Sequence, residues 1–258
     1  MIYSTPGVIK MPRKARQKSS TGVYHIIKRG INRQDIFQDD EDKDIYLERL
    51  SEYKEQCKFK LYAYCLMSNH VHLLIKEEDI GLSEIMKKIG ASYVYWYNSK
   101  YRRIGHLFQD RYKSEPIEDN DYLLTVVRYI HQNPVKIGHS IDHWTSYSDY
   151  LGGDGSRTDT EPILKLFGPE RAAAKEKFIE YVNEPSSDKC LDISERKKIT
   201  DAEGKAIVKK MGLPSVQELQ LIDKSKRNKI LKELKNAGLS IRQIERLSGV
   251  NRGVILKA

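Results

Sequence analysis

The chain has 258 residues, of which 39% are hydrophobic and 31% charged, as in a soluble globular protein of one or two domains. Its apolar stretches are shorter than the roughly 18 residues needed to span a bilayer, so we expect no membrane segment. The three cysteines have no CxxC spacing, which excludes a disulfide scaffold and favours the cytoplasm.

Seven elements are predicted in the first part of the chain. Hydrophobic periodicity and turn residues predict strands at 21–30, 59–67, 70–76 and within 106–117, and helices at 39–57, 83–99 and 120–133. Ser83 is expected to cap the second helix, and Asp119 or Asn120 the third. The order β-α-β-β-α-β-α predicts an α+β fold with a ferredoxin-like sheet, helices on one face and an added last helix.

A Gly/Ser/Asp-rich stretch at 151–160 marks a domain boundary. Residues 161–213 are predicted to be mostly helical and carry no recognisable chemistry. Residues 224–258 predict three short helices and form the third region. We therefore expect a catalytic domain, a helical region of unknown role and a C-terminal helical domain.

The net charge of +9 is concentrated in residues 224–258, which hold ten basic and two acidic side chains. Gly238 and Asn251 stand at the expected helix ends, a layout typical of a helix-turn-helix. Its charge favours binding to duplex DNA, with Asn251 and Arg252 on the last helix in the major groove. A plain helical hairpin used for packing or dimerisation is the alternative.

The predicted hairpin carries His70 and His72. Residues i and i+2 of a strand project from the same face, so both imidazoles point one way while Val71 and Leu73 point towards the presumed core. Two adjacent imidazoles can hold one divalent metal ion. An ordinary pair of surface histidines is the alternative.

Tyr129 and Asn133 are four residues apart and therefore lie on one face of the predicted helix. A phenol and an amide oxygen at this spacing can reach one site. Asn133 could then add a metal ligand while Tyr129 addresses a substrate atom. The alternative is that Tyr129 is a core residue of an amphipathic helix.

Four segments follow one another along the chain: RGINRQ at 29–34, YCLMSNHVHLL at 64–74, GHLFQDRYKS at 105–114 and YIHQNPV at 129–135. In this order they resemble the single-tyrosine HUH transposases, and more closely their REP-associated tyrosine transposase branch. The resemblance covers roughly residues 12–153.

This resemblance implies a ferredoxin-like nuclease domain that acts on single-stranded DNA, often as a dimer. It implies that His70 and His72 are ligands of Mg²⁺ or Mn²⁺ and that Tyr129 is the nucleophile. The insertion-sequence relatives have a Gln four residues after the nucleophile, where this chain has Asn133. Because Gln132 is adjacent, either amide could be the third ligand.

The expected activity is the nicking and rejoining of hairpin-forming single strands through a 5′-phosphotyrosine. Arg33, Arg111 and Lys113 are expected to contact the DNA backbone near the site, with solubilising charges as the alternative. Two other functions stay open, a non-catalytic DNA-binding regulator derived from a transposase and a replication-initiation-type HUH nickase. We expect the protein in the cytoplasm, associated with the nucleoid.

Overall fold

The computed structural model describes residues 16–152, 157–192, 200–213 and 215–258. It divides into two compact units, residues 1–192 and residues 193–258. The outer limits predicted for the catalytic domain, 12 and 153, lie outside the described residues. Within the described ranges, no helix is both long and apolar enough to cross a membrane.

The first unit contains the predicted elements in the predicted order. They are β1 (Val23–Arg29), α1 (Asp40–Cys57), β2 (Lys60–Met67), β3 (His70–Lys76), α2 (Leu82–Lys100), β4 (Lys113–Ile117) and α3 (Asn120–His131). Every strand pair is antiparallel, and the strand order across the sheet is β2-β3-β1-β4. This is the order of a ferredoxin-like split-βαβ sheet, so the predicted α+β class is confirmed.

Two helix starts refine the sequence prediction. Helix α2 begins before Ser83, and the Glu77 carboxylate accepts a hydrogen bond from the Leu82 backbone N–H at 2.5 Å. The expected cap by Ser83 is therefore wrong, because the Glu77 carboxylate, in the preceding loop, accepts from the first backbone N–H of the helix. At α3, Asp119 is the cap, and its carboxylate accepts from the Tyr122 N–H at 2.7 Å.

Both faces of the sheet are buried. Alternate residues such as Ile26 and Leu73 pack under α1 and α2, whereas Ala63, Cys65 and Leu74 pack on the α3 side. Helix α3 is thus a second layer over the sheet. Residues that alternate along one strand therefore enter two different cores.

The region after α3 adds to the same core. It contains α4 (Tyr147–Tyr150), α5 (Glu161–Leu164) and α6 (Arg171–Asn183). Phe178 of α6 is fully buried and stacks on Tyr150, with ring centroids 4.2 Å apart and planes 9° apart. The first part of the predicted region 161–213 therefore belongs to the first unit.

The second unit is helical, with α7 (Asp201–Lys210), α8 (Lys224–Ala237), α9 (Ile241–Ser248) and α10 (Arg252–Lys257). One core joins them and includes Val208, Leu231, Ile244 and Ile255. The turn before α10 needs glycine, because Gly249 has φ +67° and a Cβ there would lie 2.0 Å from the Gln220 side chain. The three helices predicted in 224–258 are present; their DNA-binding role stays a prediction.

Replacing Phe178 with Ala should destabilise the first unit by roughly 3–5 kcal/mol, because a fully buried aromatic ring is lost from its core. Both tryptophans of the chain, Trp96 and Trp144, belong to this unit, so tryptophan fluorescence during urea denaturation reports its unfolding. Glu176→Ala on the exposed side of α6 is the control. A loss below 1 kcal/mol for Phe178→Ala would contradict the placement of α6 in this core.

Candidate active site

Three histidines share the face of the sheet that α3 covers. His70 and His72 lie on β3, as predicted, and His25 lies on β1. His72 pairs across the ladder with Ile27, and His25 pairs with Leu74, so the two imidazoles are diagonal neighbours. His25 and His72 are fully buried.

Helix α3 brings Tyr129 to these histidines. The Tyr129 ring centroid lies 5.8 Å from that of His72 and 5.9 Å from that of His25. The centroids of His70 and His72 are 5.0 Å apart. The structure therefore brings together the two histidines and the tyrosine singled out in the sequence, although they come from a strand and a helix far apart in the chain.

The hydrogen bonds of the histidines leave two ring nitrogens for a ligand. Asn69 Oδ1 lies 2.6 Å from His70 Nδ1 and can only accept, so the proton of a neutral His70 is on Nδ1 and its lone pair on Nε2. His72 Nδ1 lies 3.0 Å from His25 Nε2. His72 Nε2 is buried, and no described residue offers it a hydrogen bond.

His25 is a site residue that the sequence analysis missed. Its Nδ1 lies 4.0 Å from Glu115 Oε2 on β4, its direct neighbour across the sheet. The Glu115 carboxylate also accepts from the Tyr122 hydroxyl at 2.7 Å. A line of groups thus runs from Glu115 through His25 to His72. The available signal was a histidine in the predicted first strand, but its partner depends on strand register.

Burial sets the charge of the histidines. It lowers the pKa of His25 to about 3 and that of His70 to about 4, and it lowers the pKa of His72 well below the ordinary value. All three imidazoles are therefore neutral near pH 7. Neutral imidazole is the form that binds a metal ion.

The two neighbouring amides have different surroundings. Asn133 is buried, and its Nδ2 donates to the Tyr129 backbone carbonyl at 2.8 Å. The Gln132 amide donates to the carbonyls of Val182 and Glu184 at 2.8 and 2.7 Å. Gln132 is thus bound to the end of α6, while Asn133 stays beside the residue that carries the phenol.

The Tyr129 phenol is protonated near pH 7. Burial is the main cause that raises its pKa above the ordinary value, and the Asp192 carboxylate raises it further. Lys136 places its Nζ 3.7 Å from the centre of the Tyr129 ring. Lys136 and Asp192 are further site residues that no sequence pattern indicated.

The predicted DNA-contacting residues lie in several places. Lys113 is on the histidine side of β4, with its Nζ 3.5 Å from the Asp192 carbonyl, and Arg33 is in the turn after β1. Arg111 borders a groove beside α2. Asn251 and Arg252 belong to the second unit, where Asn251 caps α10 by accepting from the Gly253 N–H at 2.8 Å.

The residues present fit a divalent metal ion. His70 Nε2 carries a lone pair, and the buried His72 Nε2 has no hydrogen-bond partner among the described residues. The Asn133 amide lies at the end of α3, one turn after Tyr129. Imidazole nitrogen and amide oxygen are ligands that Mn²⁺ accepts, and Mg²⁺ prefers the oxygen. Among the described residues, no cluster of three or more His, Cys, Asp or Glu side chains has metal-binding geometry. Such an ion would therefore depend on two imidazoles, an amide and solvent.

Residues 18–133 match the family described as "Transposase IS200 like". That range contains the whole sheet together with His25, His70, His72 and Tyr129. This part of the chain is similar to the IS200-like transposases, which confirms the resemblance seen in the sequence. The match supports transposase-type processing of DNA by this part of the chain.

Two solved structures are similar to the chain. One is a REP-associated tyrosine transposase bound to a REP hairpin, at 16% identity and a TM-score of 0.48, covering 57% of this chain and 88% of the other. The second is a candidate transposase from Deinococcus radiodurans R1, at 17% identity and a TM-score of 0.34, covering 50% and 99%. The search of curated proteins gave no match.

His131, two residues after Tyr129, faces a different environment. It is fully buried, and its Nε2 lies 2.8 Å from the Ser146 hydroxyl. The edges of Tyr147 and Phe178 surround its ring. His131 is therefore a core residue of the first unit and has no part in the histidine cluster.

Burial lowers the pKa of His131 to about 3 from 6.5, so stability should depend on it in acid. Below pH 6.5 the unfolded chain binds a proton at this imidazole while the native chain does not, and stability falls as the pH falls towards 3. His131→Gln should flatten this dependence by up to about 1.4 kcal/mol per pH unit. Urea denaturation between pH 7 and pH 4 measures the slope, and identical slopes in both proteins would contradict this account.

Proposed function

We propose that the first unit is a metal-dependent transesterase that nicks and rejoins single-stranded, hairpin-forming DNA through a covalent bond to Tyr129. The observation that carries this proposal is the convergence of the Tyr129 phenol with two neutral imidazoles, His70 and His72, in a transposase domain. The segments that resemble the REP-associated branch favour a hairpin substrate.

His70, His72 and Asn133 would hold the metal ion, and the bonds of Gln132 to α6 favour Asn133 as the amide ligand. When bound, Mg²⁺ or Mn²⁺ supplies positive charge that offsets the charge developing on the phosphate. His25 orients His72: if His72 donates its Nδ1 proton to His25 Nε2, its Nε2 lone pair points away from His25. Hydrogen bonds of this kind fix the tautomer of a ligating histidine.

The covalent step exchanges one phosphate ester bond for another and consumes no cofactor. The Tyr129 oxygen attacks phosphorus, the bond from phosphorus to the 3′ oxygen breaks, and a 5′-phosphotyrosine and a free 3′-OH result. The phenol loses one proton and the leaving oxygen gains one. Because the phosphotyrosine is itself a reactive ester, a second 3′-OH can displace the tyrosine and rejoin the DNA without ATP.

Cationic side chains complete this arrangement. Lys136 holds its ammonium against the Tyr129 ring, and Lys113 lies on the same face of the sheet. A DNA phosphate placed between the tyrosine and the histidines would meet these charges. They would stabilise the bound phosphate, and Lys136 would favour the phenolate as it forms.

The other functions differ in what they require. A non-catalytic regulator would not need the tyrosine and the histidines, whose intact convergence argues against it. A replication-initiation-type nickase would share the chemistry and differ in its DNA. We further propose that residues 224–258 bind duplex DNA through their basic surface, and that the protein acts on the nucleoid, with a homodimer as the expected assembly.

Tyr129→Phe should abolish cleavage of an end-labelled hairpin DNA in Mn²⁺, because phenylalanine keeps the ring and removes the attacking oxygen. We expect a loss of at least a thousandfold in the cleavage rate, read on a denaturing gel. Tyr53→Phe on α1, under the opposite face of the sheet, should cleave as the parent does. Equal cleavage by the parent and Tyr129→Phe would show that Tyr129 is not the nucleophile.

His25→Leu should weaken Mn²⁺ binding at the histidine site by about 10–100-fold, since the partner that orients His72 is lost. His25→Gln, which keeps an acceptor, should lose less. Calorimetric titration with Mn²⁺ measures the affinity of each variant. His72→Ala shows how much Mn²⁺ binds outside the histidine site, and thermal melting checks that each variant is folded. Unchanged affinity in His25→Leu would refute the orienting role.

A further inference from the structure

Lys28 carries an ammonium group that has no acidic partner among the described residues. It lies on β1 between the two site-facing positions Ile27 and Arg29, so its side chain enters the opposite face, under α2. No described residue forms a hydrogen bond or ion pair with it. Lys28 Nζ lies 4.1 Å from the centre of the Phe108 ring. Burial lowers the pKa of Lys28 to about 8.

The surroundings hold this ammonium in place. A Cβ on Gly90 of α2 would lie 1.9 Å from Lys28 Nζ, so the glycine provides the space that the ammonium occupies. Phe108 is fixed by the backbone, because the Ile31 N–H donates to the Leu107 carbonyl and the Gln109 N–H donates to the Arg29 carbonyl, each at 2.9 Å. A half-buried cation with no counter-ion among the described residues is costly, and a bound anion would offset that cost.

Lys28 lines a groove of about 730 Å³. Other residues of this groove could contact the base and the phosphate of a nucleotide. Tyr95 stands at its side with 82% of its surface exposed, which gives a free aromatic face. Arg111 adds a guanidinium group to the lining, which also includes His106 and Asp110. The buried Asn98 Oδ1 also lines it and has no hydrogen-bond partner among the described residues.

We infer that this groove binds a segment of single-stranded DNA, with a phosphate on Lys28 and Arg111 and a base stacked on Tyr95. Cations alternating with exposed aromatic rings are the means by which proteins bind unpaired strands. The inference rests on the proposed function for its substrate class, but the groove lies across the sheet from Tyr129 and is a separate contact.

The test measures binding of a fluorescent oligothymidylate 20-mer to the full chain in EDTA, where no cleavage occurs. Lys28→Met should weaken binding by about tenfold and reduce the salt dependence of log K by about 0.7, the value for one single-strand phosphate contact. Tyr95→Ala should weaken binding by a similar factor, and Tyr95→Phe should retain it. Gly90→Ala, which displaces the ammonium and keeps its charge, should weaken binding less than Lys28→Met does.

Lys87→Met is the matched control, because Lys87 lies on the same helix, is 75% exposed and does not line the groove. It should bind within twofold of the parent. Normal binding by both Lys28→Met and Tyr95→Ala would overturn the inference. So would stronger binding of a 20-base-pair duplex through the same two residues, or a dimer that Tyr95→Ala dissociates while DNA binding stays unchanged.

The Mn²⁺ cleavage assay on hairpin DNA separates this inference from the proposed function. If the parent cleaves and the groove variants bind the 20-mer normally, the groove assignment fails and the catalytic proposal stands. If the groove variants bind weakly and the parent cleaves no DNA, the catalytic proposal fails and the groove stands. Thermal melting of Lys28→Met should show no loss of stability, since the variant removes a half-buried cation that has no ionic partner among the described residues.

Discussion

The alternation of side chains along β1 and β3 is the constraint on which the site depends. Because both faces of the sheet are covered, each of these strands supplies one core under α1 and α2 and another under α3. His25 and His72 share the α3 side, while Lys28 falls on the other. A shift of one residue in the β1–β3 register would separate the two histidines.

Local patterns were sufficient to predict much of this arrangement. The HxH spacing fixed the common direction of His70 and His72, and the four-residue spacing fixed the common face of Tyr129 and Asn133. Strand and helix order fixed the ferredoxin-like class. These features depend on periodicities within one element, which a single sequence displays directly.

Features that depend on contacts between distant elements could not be predicted. His25 meets His72 through the register of two strands, and Lys136 meets Tyr129 only once the chain turns after α3. Helix α6 belongs to the core of the first unit because Phe178 stacks on Tyr150. The sequence of α6 predicts a helix but does not indicate this contact. The capping of α2 by Glu77 from the preceding loop is a further example.

The position of the charge also divides the molecule. The basic excess of residues 224–258 belongs to the second unit, whereas the first unit presents a few placed cations around a neutral histidine cluster. The electrostatics of the candidate site in the first unit therefore depend on where individual cations lie more than on the net charge of the unit. The distribution of net charge alone would predict nucleic-acid binding by the second unit and would not indicate the candidate site in the first.

The most direct test of the account is the identity of the residue that becomes bonded to DNA. The full chain would be incubated in Mn²⁺ with a hairpin in which the fragment that ends in the free 3′-OH is short, so that it dissociates and cannot rejoin. The protein would then be digested with trypsin and analysed by mass spectrometry. The account predicts a nucleotide adduct on Tyr129, in the peptide that follows Arg128. An adduct on another residue, or cleavage without any adduct, would contradict it.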